Sequence, residues 1–226
     1  MSTDKRAANT IDELQMWGQR VVARLSRHRK RLDIHSELER LDINIDRDDP
    51  RVARILDEIK RREAQGYAYD GVDASFELLA RRIMGQVPHY FSVDSYQVVE
   101  KQDGSTIATE ASVRVHSDGD TEPLWSVAGG VDPMDALQRA LRRALGCYQR
   151  HMTDFEIADY KVRLLTRADE TIARVAVESR SHTTGEHWFT VGVSSDIVGA
   201  SFEALVDAIS YKLLKSNAET AHALAS

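Results

Sequence analysis

Between residues 89 and 216 the chain repeats one pattern: strand, strand, tryptophan-bearing strand, small-residue turn, then a helix rich in Ala and Leu. The first copy closes with Trp125-Ser126-Val127-Ala128-Gly129-Gly130 and a helix from Pro133 through Ala136-Leu137 to Leu145. The second closes with Trp188-Phe189-Thr190-Val191-Gly192 and a helix from Ala200 through Ala204-Leu205 to Leu214. Alternating apolar residues predict the strands at Phe91–Glu100, Ile107–Val115 and Leu124–Ala128, then Tyr160–Leu165, Ala173–Glu178 and Trp188–Val193. Turn signals stand at Asp103-Gly104, Asp118-Gly119 and Ser181–Gly185. Two three-stranded meanders, each capped by a helix, predict an α+β fold of two pseudo-symmetric βββα units, 89–150 and 156–216. A duplicated unit makes a pair of half-sites, better suited to sensing a small molecule or a second subunit than to breaking a covalent bond.

Residues 1–88 read as an α-helical linker subdomain. Thr10-Ile11-Asp12-Glu13 is a capping box, and Ile11, Leu14, Val21, Val22 and Leu25 follow at helical spacing. The basic run Arg27-His28-Arg29-Lys30-Arg31 complements the dipole at that helix's C-terminus. Asp49-Pro50 opens a second helix, with Asp as N-cap and Pro at its first position, and Gly66 ends it. A third runs through Asp73–Arg82, with Gly85 and Pro88 marking its exit. The tail, 217–226, is expected to be flexible and solvated.

The 226 residues carry a formal net charge of −6, which argues against a nucleic-acid binder. No apolar run approaches the roughly 18 residues of a membrane span, so a cytoplasmic protein is the default. The single cysteine, Cys147, excludes an internal disulfide and, on a helix, is expected to be buried and inert. The histidines show neither His-x-His nor HExxH spacing, and His182 and His187 read as exposed loop residues. No phosphate-binding glycine loop, nucleophile elbow or Cys/His motif is present. Ser194-Ser195-Asp196 reads as a helix cap. No catalytic constellation, metal site or cofactor is expected in this chain.

Several segments, in order, resemble one family. Gly66-Tyr67 with Asp73-Ala74-Ser75-Phe76-Glu77-Leu78-Leu79-Ala80-Arg81-Arg82 resembles the lead into the regulatory domain of citramalate synthases and 2-isopropylmalate synthases. Asp159-Tyr160-Lys161-Val162-Arg163-Leu164 resembles the strand that opens that domain's second half. Val191–Val198, Ala200–Asp207 and Tyr211–Leu214 are similar to its closing strand and helix. The likeness covers roughly residues 34–215, with the citramalate synthase branch closest.

The resemblance implies an allosteric homodimer that binds a branched-chain amino acid, isoleucine or leucine, near the dimer interface. In the family, catalysis joins acetyl-CoA to a 2-oxo acid on a separate metal-dependent TIM barrel of about 250 residues, for which this chain has neither the length nor the metal-ligating histidines. The chain would then be a regulatory portion, either part of such an enzyme, acting in trans on a separately encoded barrel, or serving alone as a sensor or interaction protein with a changed ligand. Carried across residue by residue, the effector site falls on Gly130, Pro133, Met134 and Asp135 in the turn. Ile157, Tyr160 and Leu164 follow on the next strand, and Ala173 and Val175 on the one after. Where the family's turn reads Gly-Asn-Gly-Pro, this chain has Gly130-Val131-Asp132-Pro133. An acidic cap repels an incoming carboxylate and the lost glycine restricts backbone approach, so weakened or altered effector binding is expected.

Overall fold

The computed structural model describes residues 34–118, 122–167 and 170–224; the Thr10 capping box and the basic run at 27–31 lie outside them. The chain divides between Leu56 and Asp57 into two compact units. In the first, helix α1 (Ile34–Arg40) buries Ile34 and Leu38 and pairs Arg40 with Glu37. Sequence periodicity did not reveal this helix, because seven residues offer fewer than two turns to compare. Helix α2 (Pro50–Gln65) begins as predicted, with Asp49 Oδ1 accepting the Arg51 N–H at 2.8 Å.

The second unit opens on the end of α2, which stops at Gly66 in the left-handed region (φ +113°). Helix α3 (Asp73–Ile83) follows, then a three-stranded antiparallel sheet of β1 (Phe91–Asp103), β2 (Thr106–Ser117) and β3 (Leu124–Gly130). Helix α4 (Pro133–Ala144), a 3-10 turn at Gly146–Tyr148 and the short α5 (Gln149–Met152) lead to the second sheet. That sheet holds β4 (Phe155–Arg167), β5 (Glu170–Ser181) and β6 (His187–Ser194), and α6 (Ile197–Lys215) and α7 (Ala221–Leu224) complete the chain. The α+β class and the two βββα units are therefore as expected, with strands β1, β4 and β5 longer than the alternation alone predicted.

The two copies coincide with a constant offset of 64 residues. Register slips by one residue between Val93 and Ser95 in the first sheet and between Ile157 and Asp159 in the second, a β-bulge at the same place. Asp132 caps α4 and Asp196 caps α6, each accepting a backbone N–H three residues on, at 2.9 and 2.7 Å. Ala136, Ala140 and Ala144 on α4 match Ala200, Ala204 and Ala208 on α6, all buried. These small faces let each helix sit close on its sheet. A Cβ added at Gly130 would lie 2.3 Å from Ala136 N, and one at Gly192 would lie 2.0 Å from Ala200 O.

This register corrects the tryptophan alignment read from the sequence. Trp125 pairs with Arg114, and Phe189 pairs with Glu178, which is Arg114 moved by the offset. Trp188 therefore matches Leu124 instead, and the two tryptophans face opposite ways. Trp188 is 5% exposed under α6 and donates its Nε1–H to Ala208 O at 3.3 Å, whereas Trp125 is 64% exposed. An offset of one residue reverses the face of a strand.

Each capping helix covers the second and third strands of its sheet: α4 lies over β2 and β3, and α6 over β5 and β6. One core joins the two βββα repeats, including Val113, Leu137, Leu141, Tyr148, Leu205 and Ile209. The far face of the second sheet is closed by the segment before β1, where Tyr67 and Val72 form a buried cluster with Val191, with Phe189 and Val193 packed beside it. The segment after α6, expected to be a solvated tail, is held as far as Ala221. Ala218 belongs to the core, and the Ala221 N–H donates to Tyr148 Oη at 2.9 Å.

Candidate functional site

The turn Gly130–Asp135 forms because Asp132 is extended (φ −150°) and Pro133 starts the helix at once. Its free backbone donors are partly used: Asp132 Oδ1 takes the Asp135 N–H at 2.9 Å, and Asp135 Oδ2 takes the Val131 N–H at 3.0 Å. The other Asp135 oxygen accepts from Arg139 Nε at 2.8 Å. Two carboxylates thus stand at the helix N-terminus, where they satisfy the dipole that would otherwise attract an anion. Val131 is 85% exposed, while Met134 is buried in the main core.

The other five candidates share one face of the second sheet, the face toward α6. Leu164 pairs directly with Ala173, Val162 with Val175 and Tyr160 with Val177. Ala173 and Val175 are closed over by Ala200 and Ala204 of α6, with Ile157 packed against the same cluster. Tyr160 and Leu164 lie beyond the helix edge, 46% and 62% exposed, with Val162 also exposed between them. The structure thus gathers Ile157, Tyr160, Leu164, Ala173 and Val175 on one surface. It places Gly130, Pro133, Met134 and Asp135 at the end of the other unit, where Met134 and Ile157 both pack against the main core.

Sequence reading missed a polar network between α6 and the segment 67–82. Glu203, Asp207, Tyr211 and Lys215 recur at four-residue spacing, which places them along one stripe of the helix. Glu203 accepts from the Tyr67 hydroxyl and, through its other oxygen, from Val193 N at 2.8 Å. Asp207 accepts from Arg82 Nη1 at 2.8 Å. The Tyr211 hydroxyl and Lys215 Nζ donate to Glu77 at 2.9 and 3.2 Å, and Arg81 Nε donates to it at 2.7 Å. Glu77 is 1% exposed; burial pushes its carboxyl up, but these donors outweigh that and hold it below its ordinary range. Burial, the largest cause, together with the Glu203 and Glu77 carboxylates pushes the Tyr67 and Tyr211 hydroxyls up. The signal in the sequence is the four-residue spacing of Glu203, Asp207, Tyr211 and Lys215 on a helix otherwise rich in Ala, Leu, Ile and Val.

Cys147 differs from expectation. It is exposed, because α4 ends before it and Cys147 sits in the 3-10 turn at Gly146–Tyr148. His182 and His187 are exposed as expected, each paired with a carboxylate: His182 with Glu156, and His187 with Glu178 at 2.8 Å. Among the described residues no group of three or more His, Cys, Asp or Glu is placed to hold a metal ion. None of the described helices is long and apolar enough to cross a membrane.

Duplicated βββα units around one core, with an open apolar strip beside the second helix, are the frame of a domain with a surface left for a partner. The chain belongs to the LeuA allosteric (dimerisation) domain family, whose model matches residues 70–213. It is 37% identical over 191 residues to the (R)-citramalate synthase of Aquifex aeolicus (strain VF5), covering 84% of this chain and 36% of that protein. It is 37% identical over 188 residues to the (R)-citramalate synthase of Geobacter sulfurreducens, covering 82% and 35%. The Streptomyces coelicolor (R)-citramalate synthase is 38% identical over 191 residues, covering 82% and 35%. The chain thus spans about a third of the length of these relatives.

Proposed function

We propose that this chain is the regulatory and dimerisation module of a citramalate synthase or 2-isopropylmalate synthase type acyltransferase, and that it takes a branched-chain amino acid as feedback effector. The observation that carries this reading is the apolar strip Tyr160, Val162 and Leu164, which α6 leaves open beside Ala173 and Val175. Three apolar side chains in line on a strand cost free energy in water, at about 25 cal/mol per Å² left exposed. A second copy of the domain covers that strip, and an aliphatic side chain of isoleucine or leucine fits its chemistry.

The polar end of the effector is less well provided for. Asp132 and Asp135 occupy the turn donors and present negative charge to an incoming carboxylate. Effector binding is therefore weak in this chain. Calorimetric titration with L-isoleucine and L-leucine tests both parts. Binding weaker than micromolar, tightened by Asp132→Asn, is the expected result; Asn keeps the cap while removing the charge. Micromolar binding by the parent chain overturns the weakened turn, and no binding by either protein overturns the amino-acid reading.

A further inference from the structure

Besides the main core and Tyr96 of β1, helix α6 contacts β5 and the segment 67–82 through two different sets of residues. Its alanine face, Ala200 and Ala204, closes directly over Ala173 and Val175 of β5. Its polar stripe, Glu203, Asp207, Tyr211 and Lys215, holds Tyr67, Arg82 and Glu77 of the segment that leads into the domain. The two faces are interleaved: Ala200 and Glu203 lie one turn apart, as do Ala204 and Asp207. The helix is one continuous element of 19 residues, so it moves on the sheet as a body.

We infer that α6 is a coupling lever: a change in the β5–α6 spacing at Ala173 and Val175 is transmitted through the Glu203–Asp207–Tyr211–Lys215 stripe to residues 67–82. Three features support a mechanical link. The partners on 67–82 are spread over both ends of that segment, so it follows the helix as a whole. Glu203 bridges two elements, binding the Tyr67 hydroxyl and the β6 backbone at Val193 together. Glu77 is buried and takes donors from both helices, so separating α3 from α6 strands a buried carboxylate. The lever extends the proposed function, since an effector beside Ala173 would act on it, but its operation does not depend on which ligand binds there.

A ligand-free wedge tests the lever on the full chain. Ala173→Val adds bulk between β5 and α6, where Ala173 is buried in one cluster with Ala200 and Ala204. Hydrogen exchange, read by mass spectrometry, should then quicken in residues 73–83 by roughly threefold relative to residues 106–117 of the first sheet. In a Glu203→Ala/Asp207→Ala/Tyr211→Phe/Lys215→Met background, which removes all four polar contacts of the stripe, the same wedge should leave 73–83 no faster than that background alone. Val175→Ile is a smaller wedge that gives the same comparison if Ala173→Val fails to fold. Equal acceleration with and without the stripe, or acceleration confined to 170–181 and 197–215, overturns the lever. Because no amino acid is added, this outcome is independent of the titration that tests effector binding.

Discussion

The ring of Tyr96 on β1 lies 4.3 Å from that of Phe202 on α6, and the symmetry-related pair does not exist. Moving each by the offset gives Tyr160 on β4 and Gln138 on α4, so the aromatic that packs on the first tyrosine has a glutamine as its counterpart in the other copy. The duplication is broken where the apolar strip opens. Phe202 is buried, and Phe202→Ala is expected to cost about 3–5 kcal/mol, the usual range for emptying an aromatic core site. Urea unfolding followed by far-ultraviolet dichroism checks it; a loss below about 1 kcal/mol would mean the Tyr96 contact is peripheral.

Close helix–sheet approach gives a second expectation. Gly192→Ala places a Cβ against the Ala200 carbonyl, a backbone atom with no rotamer to escape by. The cost should sit at the upper end of the roughly 1–3 kcal/mol seen for overpacking. Gly146→Ala, where a Cβ meets nothing within 4 Å, should be neutral or slightly stabilising. Thermal unfolding of the two variants side by side decides the matter.

Acid should weaken the anchor between α6 and the start of the second sheet. Burial alone would raise the Asp154 carboxyl, but the Ser181 hydroxyl and Lys212 outweigh it and hold it at about 2 against an ordinary 3.8. A lowered folded-state value means the stabilisation is complete above about pH 4 and is lost as pH falls toward 2. Asp154→Asn should therefore be less stable than the parent at neutral pH, with the gap narrowing between pH 4 and pH 2. A gap that stays constant across that window would show that Asp154 contributes no charge-linked stability.

The opposed tryptophans give an optical test of the register. Trp125→Phe should remove more of the emission that iodide quenches than Trp188→Phe does, since Trp125 faces solvent and Trp188 lies under α6. Equal losses would contradict the assigned strand faces.

What could be read in the sequence followed from periodicity and caps. Ala111, Val113 and Val115 alternate, and all three are buried. Asp132 and Asp196 were legible as caps because their side chains act within three residues. The same local signals could not fix the tryptophan register, since Trp125-Ser126-Val127 and Trp188-Phe189-Thr190 look alike until the bulges at Val93 and Ile157 set the offset. The buried Glu77 was equally hidden: its partners Tyr211 and Lys215 lie more than 130 residues away. Cys147 was misplaced because α4 gives way to a 3-10 turn immediately before it. Among the site residues, Tyr160, Leu164, Ala173 and Val175 were named from the resemblance alone, and their shared face follows from the strand register.

On the proposed function, a second copy of the chain completes the open strip on β4. Sedimentation velocity on the purified chain and on Leu164→Arg tests it most directly, because Leu164 is 62% exposed and its replacement disturbs no core contact. The parent should sediment at twice the chain mass and Leu164→Arg at a single chain mass, with both proteins equally folded. A parent that sediments as a single chain, or a Leu164→Arg variant that pairs as tightly as the parent, would contradict it.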